Sequence, residues 1–175
     1  MSMEIFEAIK NRRSIRAYKK KELPLGTVEK LIDAARWAPS AGNVQPWAFV
    51  VAASIDMKRA LSLAAYGQGD VEAASAVIVV CADEKLAQER YGERGKTIFC
   101  FQDTAAAIQN ILLAAYSLGL GTCWVGAFKE EQVSKLIQAP EDMRPVALIL
   151  VGYPDEAPEA RGRRPISEIM HSETF

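Results

Sequence analysis

The sequence predicts an α+β fold, with short strands alternating with amphipathic helices around one hydrophobic core. Three observations carry that expectation. Half of the 175 residues are hydrophobic and a quarter are charged, a balance that suits a single globular domain over residues 1–175. Four apolar runs (48–53, 77–81, 122–125 and 146–151) have strand length, and the second, Val-Ile-Val-Val-Cys, is continuous and β-branched like a strand covered on both faces. Between them lie helical stripes. The longest joins Ala105, Ile108, Ile111, Leu112 and Ala115, widened by Leu113 and Tyr116, and a helix apolar nearly all round is a central one.

In chain order, Ile5, Ala8 and Ile9 mark a short helix over 3–11 behind a Ser2 N-cap, which delivers its end to Arg12, Arg13, Ser14 and Arg16. An extended stretch over 19–25 precedes a second helix with Val28, Leu31, Ile32 and Ala35 on one face. That helix stops near Ala38, because Pro39 disfavours α geometry in the residue before it. The loop Pro39-Ser40-Ala41-Gly42-Asn43-Val44-Gln45-Pro46 leads into the first strand. A helix over 57–66 ends at Gly67, and the polar stretch 84–98, with two glycines, is either a helical excursion or a mobile segment. The central helix runs over 101–118 to Gly119-Leu120-Gly121, and another with Val133, Leu136 and Ile137 stops before Pro140. The tail over 152–175 has too little apolar content to fold on itself, so it either frays or lies along another surface, such as a partner subunit.

Composition excludes several function classes. A net charge of -1 and a pI near 5.9 give no overall basic field for a nucleic acid. The N-terminus lacks a basic region followed by an apolar one, and no unbroken apolar run nears the ~18 residues of a membrane span, so a cytoplasmic protein is expected, with no membrane partner. Three cysteines without C-x-x-C spacing read as buried small hydrophobes. The single histidine, His171, leaves neither a histidine metal site nor a Ser-His-Asp array much to work with, so no metal is expected and a cofactor would carry any chemistry.

Two constellations stand out. The loop from Pro39 to Trp47 is stiffened by two prolines, and Ser40, Asn43 and Gln45 offer polar groups beside the flat Trp47, which suits a planar, polar-edged ligand. Arg12, Arg13 and Arg16 with Ser14 place three permanent cations and a hydroxyl within five residues, as a phosphate requires, and Arg161, Arg163 and Arg164 form a second cluster in the tail. Taken alone, either cluster is equally a solvated basic patch. The glycines of 119–126 follow a helix and precede a strand, the reverse of a dinucleotide-binding turn.

In order and spacing these pieces resemble the FMN-dependent nitroreductase family. The matching stretches are Arg12-Arg13-Ser14-Ile15-Arg16, then 35–47, then Gly119-Leu120-Gly121-Thr122-Cys123-Trp124-Val125-Gly126, and Arg161-x-Arg163-x-Pro165. The resemblance implies a central mixed β-sheet flanked by helices in an intertwined homodimer with exchanged C-terminal tails. It further implies that Arg12, Arg13, Ser14 and Arg16 hold the FMN phosphate, ribityl chain and pyrimidine edge, with Arg161 and Arg163 reaching the phosphate. Pro39, Ser40, Ala41 and Asn43 cover the flavin from the other subunit, backbone at Trp124, Val125 and Gly126 faces flavin N5, and Gln68 meets the pyrimidine edge. On this reading no side chain is catalytic. Hydride passes from NAD(P)H to N5 and then, in ping-pong fashion, to a nitroaromatic, quinone or related small electron acceptor. A non-catalytic FMN sensor or store, and family side branches that cleave flavin or dehalogenate reductively, stay open. Compared with longer members the region over 81–101 is short, and a lysine and asparagine found in some relatives near 67–71 are missing, which leaves acceptor choice, flavin affinity and potential open.

Overall fold

A computed structural model describes residues 4–175. The elements run α1 (Ile5–Asn11), α2 (Thr27–Arg36), β1 (Trp47–Ala52), α3 (Ile55–Ala64), α4 (Gly69–Ala73), β2 (Ala76–Asp83), α5 (Glu84–Arg94), α6 (Cys100–Ser117), β3 (Gly121–Val125), α7 (Glu130–Leu136) and β4 (Met143–Gly152). The expected Ser2 cap lies outside the described residues. In its place Glu4 caps α1, its carboxylate accepting from Glu7 N at 3.2 Å.

The strands form one sheet in the order β1-β2-β4-β3, with every neighbouring pair antiparallel. Among the described residues the only parallel pairing is an isolated bridge between Ser14 and Thr122. The sheet is therefore less mixed than expected, because the tail supplies no strand to its own chain.

Side-chain alternation builds three layers. Val77, Val79 and Cys81 of β2 share one sheet face with Leu148 and Leu150 of β4 and cluster with Leu61, Val71 and Val133, whereas Ile78 and Val80 share the other with Ile149 and Val151 and cluster with Leu31, Ile108 and Ile111. Seven of the eight β2 residues are buried, as its unbroken apolar run requires. Each such side chain stabilises the fold by ~1.5–3 kcal/mol relative to exposure.

The charged stretch after β2 is helical. Gly92, at φ 60° and ψ -149°, breaks α5, and the chain folds back through a π turn (Gly95–Phe99) into α6. A Cβ on Gly95 would stand 2.1 Å from Ala87 O, so only glycine permits this approach. By length and composition Glu84–Ser117 could cross a membrane, a stretch not anticipated above, but Gly92 interrupts it and α6 packs its apolar face into the core.

All three cysteines are free and buried. Burial pushes the thiols of Cys81 and Cys100 up to about 11, helped at Cys100 by the negative charge of Glu84. Since the folded values lie above the ordinary 9.0, the stability linked to these thiols is complete below pH 9 and is lost as pH rises towards 11. At pH 7 such a thiol is ionised to about one part in ten thousand. We expect a thiol reagent to label the native protein slowly and the guanidinium-unfolded chain at all three positions at once; rapid native labelling of Cys81 or Cys100 would contradict this burial.

Candidate functional site

The site begins with segment 12–18, laid across one end of the sheet. Ile15 N donates to Thr122 O at 2.9 Å, and Tyr18 bridges to Pro154. What lets the segment lie so close is a glycine pair, because Gly121 of β3 faces Gly152 of β4 in register. A Cβ on Gly121 would come within 2.8 Å of Ile15 Cγ1, and one on Gly152 within 2.7 Å of Tyr18 Cδ1. Ile15 and Tyr18 are buried there, while Arg12, Arg13, Ser14 and Arg16 line a cleft of about 350 Å³ with Arg161 and Arg163. Two clusters from opposite ends of the sequence, 12–16 and 161–163, thus line one cleft.

The cleft has excess positive charge. Burial holds the Arg12 guanidinium below its usual range, and the like charges of Arg13 and Arg163 lower it further. Arg13 is partly engaged, since its Nη1 donates to Lys10 O at 2.7 Å and Arg12 O at 2.9 Å, which satisfies carbonyls at the end of α1. Arg163 Nη1 donates to Arg161 O at 3.0 Å. Arg16 Nε lies 3.9 Å from Asp70, a loose pair in which Arg16 is exposed and the Asp70 side chain largely buried. Among the described residues Arg12 has no carboxylate partner within salt-bridge distance.

Two carboxylates, Glu156 and Glu159, also line the cleft, and Glu156 accepts from the backbone N–H of Arg16 and, at 3.1 Å, from that of Ala17. These two donors hold its carboxyl below the usual range. Sequence reasoning missed Glu156, whose only signal was an acidic residue just upstream of the tail arginines.

Gln68 sits at the N-cap position of α4 without a side-chain capping bond, and its Nε2 donates instead to Ala65 O at 2.8 Å and Ala127 O at 3.0 Å. The side chain is thereby tied to backbone just beyond Trp124, Val125 and Gly126, with only its carbonyl oxygen unengaged among the described residues. Trp124 is exposed, Val125 is buried and Gly126 is exposed, with nothing within 4 Å of the position a Cβ would take. Through the Ser14–Thr122 bridge and the Arg16–Asp70 pair, this side of the site is continuous with the arginine cleft.

The loop over 39–45 lies elsewhere. Pro39 and Asn43 line a second cleft of about 460 Å³ with Arg36, Trp37, Ala38 and Gln45, which shares no residue with the first. Within the loop Ser40 Oγ accepts from Gln45 N at 2.9 Å, and Ala41 N donates to the Asp103 carboxylate. Gly42, Asn43 and Gln45 have φ of 54°, 57° and 56°. A Cβ on Gly42 would stand 2.2 Å from the Tyr91 hydroxyl, so α5 packs directly on the loop. Trp47, expected to offer a flat ligand surface, is instead half-buried against the α2 and α6 layer, because it opens β1 and its ring belongs to the core; the exposed ring here is Trp37.

Comparison with known proteins decides the family. The family model described as the nitroreductase family matches residues 9–153. The chain belongs to the nitroreductase family. Among nitroreductase relatives, a Methanothermobacter thermautotrophicus protein, provisionally named an NADH dehydrogenase/NAD(P)H nitroreductase, is 40% identical over 91% of this chain and 82% of its own length. A Bacillus subtilis FMN reductase (NADPH) is 30% identical over 97% of this chain and 73% of its own. The solved structure of the Vibrio harveyi NADPH:FMN oxidoreductase complexed with NAD+ superposes with a TM-score of 0.90, at 26% identity over 98% of this chain and 77% of its own. The nitroreductase fold expected from the motifs is thus the fold found.

Proposed function

We propose that this chain is one FMN-binding domain of a cytoplasmic homodimer that oxidises NAD(P)H and reduces a nitroaromatic, quinone or related small electrophile. The observation that carries this reading is the arginine cleft, in which Arg13 and Arg163 repel Arg12 and, among the described residues, no carboxylate lies within salt-bridge distance of Arg12. A phosphate dianion fits that donor set, because forked guanidinium groups and the Ser14 hydroxyl match its oxygens. FMN bound there supplies the two-electron chemistry between donor and acceptor.

The protein's own groups bind and orient. Arg12, Arg16, Arg161 and Arg163 take the phosphate end, Gln68 presents a carbonyl oxygen to the ring edge, and Gly126 lets backbone approach the ring. Pro39 and Asn43, with Ser40 and Ala41 between them in the same loop, line a cleft that shares no residue with the arginine cleft, which supports a flavin covered by the loop of a second copy. The exposed tail with Ile166, Ile169 and Met170 supports the same arrangement, as apolar side chains that a partner would cover.

The test is an absorption spectrum after incubation with FMN and desalting, followed by anaerobic NAD(P)H and then an acceptor. Retained flavin bands that bleach and recover are expected. Retained flavin that never bleaches would leave a binder and not an enzyme, and loss of flavin on desalting would remove the reading.

A further inference from the structure

Asp103 is the one buried acidic residue among the described residues, and the site as derived so far gives it no role. It lies in the first turn of α6, within a helix whose buried face is otherwise almost wholly apolar. Both carboxylate oxygens converge on one donor, Ala41 N, at 3.1 and 3.2 Å. No Lys or Arg among the described residues lies within salt-bridge distance. Burial accordingly pushes the carboxyl up, and the Ala41 hydrogen bond pulls it part of the way back. A poorly compensated charge is an expensive way to fill space in a core, so packing alone does not account for it.

What the carboxylate does hold is a loop that would otherwise relax. Ser40 is extended at φ -141° and ψ 154°, and the chain then turns through Ala41–Asn43 with left-handed backbone at Gly42, Asn43 and Gln45. Left-handed geometry at a non-glycine residue costs ~1–2 kcal/mol and persists only when surrounding structure imposes it. Here the loop is tied at one end by Ala41 N to Asp103 and across its width by Gln45 N to Ser40 Oγ, while Tyr91 closes on Gly42. Of these ties only the Asp103 bond comes from a buried side chain on a core helix.

We propose that Asp103 is a positioning residue, which presets the loop of Pro39, Ser40 and Asn43 in its flavin-covering shape through the Ala41 N–H. Ordering the loop in advance spares ligand binding the conformational entropy of fixing it. The inference rests on the flavin-binding reading above, and its test is chosen so that the two can fail separately.

Hydrogen exchange of the peptide spanning 39–46 is measured beside FMN affinity and the thermal midpoint, in the full-length protein. In Asp103→Ala the Ala41 amide should exchange at least about tenfold faster and FMN should bind at least about tenfold more weakly, the loss expected for one charge-assisted hydrogen bond. Asp103→Asn keeps the shape and one acceptor oxygen, so it should recover most of both effects. Its thermal midpoint should not fall, because the buried charge is gone. If Asp103→Ala gives no folded protein, Asp103→Ser, whose hydroxyl is too short to span the gap, is read in its place. Unchanged exchange at Ala41 would overturn the proposal, and so would a lowered midpoint in Asp103→Asn with no rescue of the loop. Faster exchange in a protein that binds no FMN even as wild type would keep the clamp and remove the flavin.

Discussion

Replacing Arg12 and Arg163 together by alanine strips FMN from the protein, with an expected rise in dissociation constant of about 10²- to 10⁴-fold. Each charge-assisted hydrogen bond contributes ~1.5–3 kcal/mol, and a tenfold change in affinity is ~1.4 kcal/mol. These two are chosen because Arg163 is among the like charges that depress Arg12, while Arg13 is partly engaged with backbone carbonyls and Arg16 leans towards Asp70. The same repulsion makes the result diagnostic. Without ligand the two guanidinium groups oppose each other, so the flavin-free double variant should unfold no earlier than the flavin-free parent. Arg12→Lys keeps the charge and loses the fork, and should fall between the two. Arg59→Ala, which breaks a surface pair with Glu72, serves as the control. Retention of FMN at parental affinity in the double variant would remove the phosphate assignment.

Gly121→Val should destabilise the fold by ~1–3 kcal/mol, the usual cost of forcing extra methyl groups into a packed interior. For a chain of this size that corresponds to a fall in Tm of about 2–12 °C. The cause is local, since Ile15 Cβ, Cγ1 and Cγ2 all stand within 2.9 Å of the first added carbon. Ile15 sits between Ser14 and Arg16, so the clash also moves the segment proposed to bind the phosphate, and FMN affinity should fall with stability. Ile15→Ala in the Gly121→Val background removes the Cγ1 and Cγ2 clashes but keeps the Cβ one, so it should recover only part of the lost Tm relative to Gly121→Val alone. Gly69→Ala meets open space and should leave Tm unchanged or raised. An unaltered Tm in Gly121→Val would show that the segment does not rest on the glycine pair.

The parts legible in the sequence were those whose physics is local. β2 was visible because a strand covered on both faces needs an unbroken apolar run, and the loop because two prolines bracket it. α4 was not, since Gly-Asp-Val-Glu-Ala carries one large apolar residue and no periodicity to detect. The stretch after β2 stayed ambiguous because Gly92 breaks the helical phase and its exposed residues are charged. Strand order is set by pairings between distant segments, which local pattern does not encode. At the site, the arginines could be named because several like charges close together in a near-neutral chain need an anion or solvent. Asp103 left one legible trace, a lone acid in an apolar stripe, but its partner Ala41 offers only a backbone N–H and no side-chain signal.

The separation of the arginine cleft from the loop cleft has a genetic consequence under the proposed function. In the proposed dimer every complete site takes its arginines from one copy and its loop from the other. Suppose two defective alleles are expressed together, one lacking Arg12 and the other lacking Asp103. In each hybrid pair both lesions fall in the same site, and the opposite site inherits neither. With random pairing about half the dimers are hybrids, so about one quarter of all sites are whole. Two alleles that each weaken flavin binding at every site when alone would then complement each other, whereas two alleles damaged within the same cleft would not.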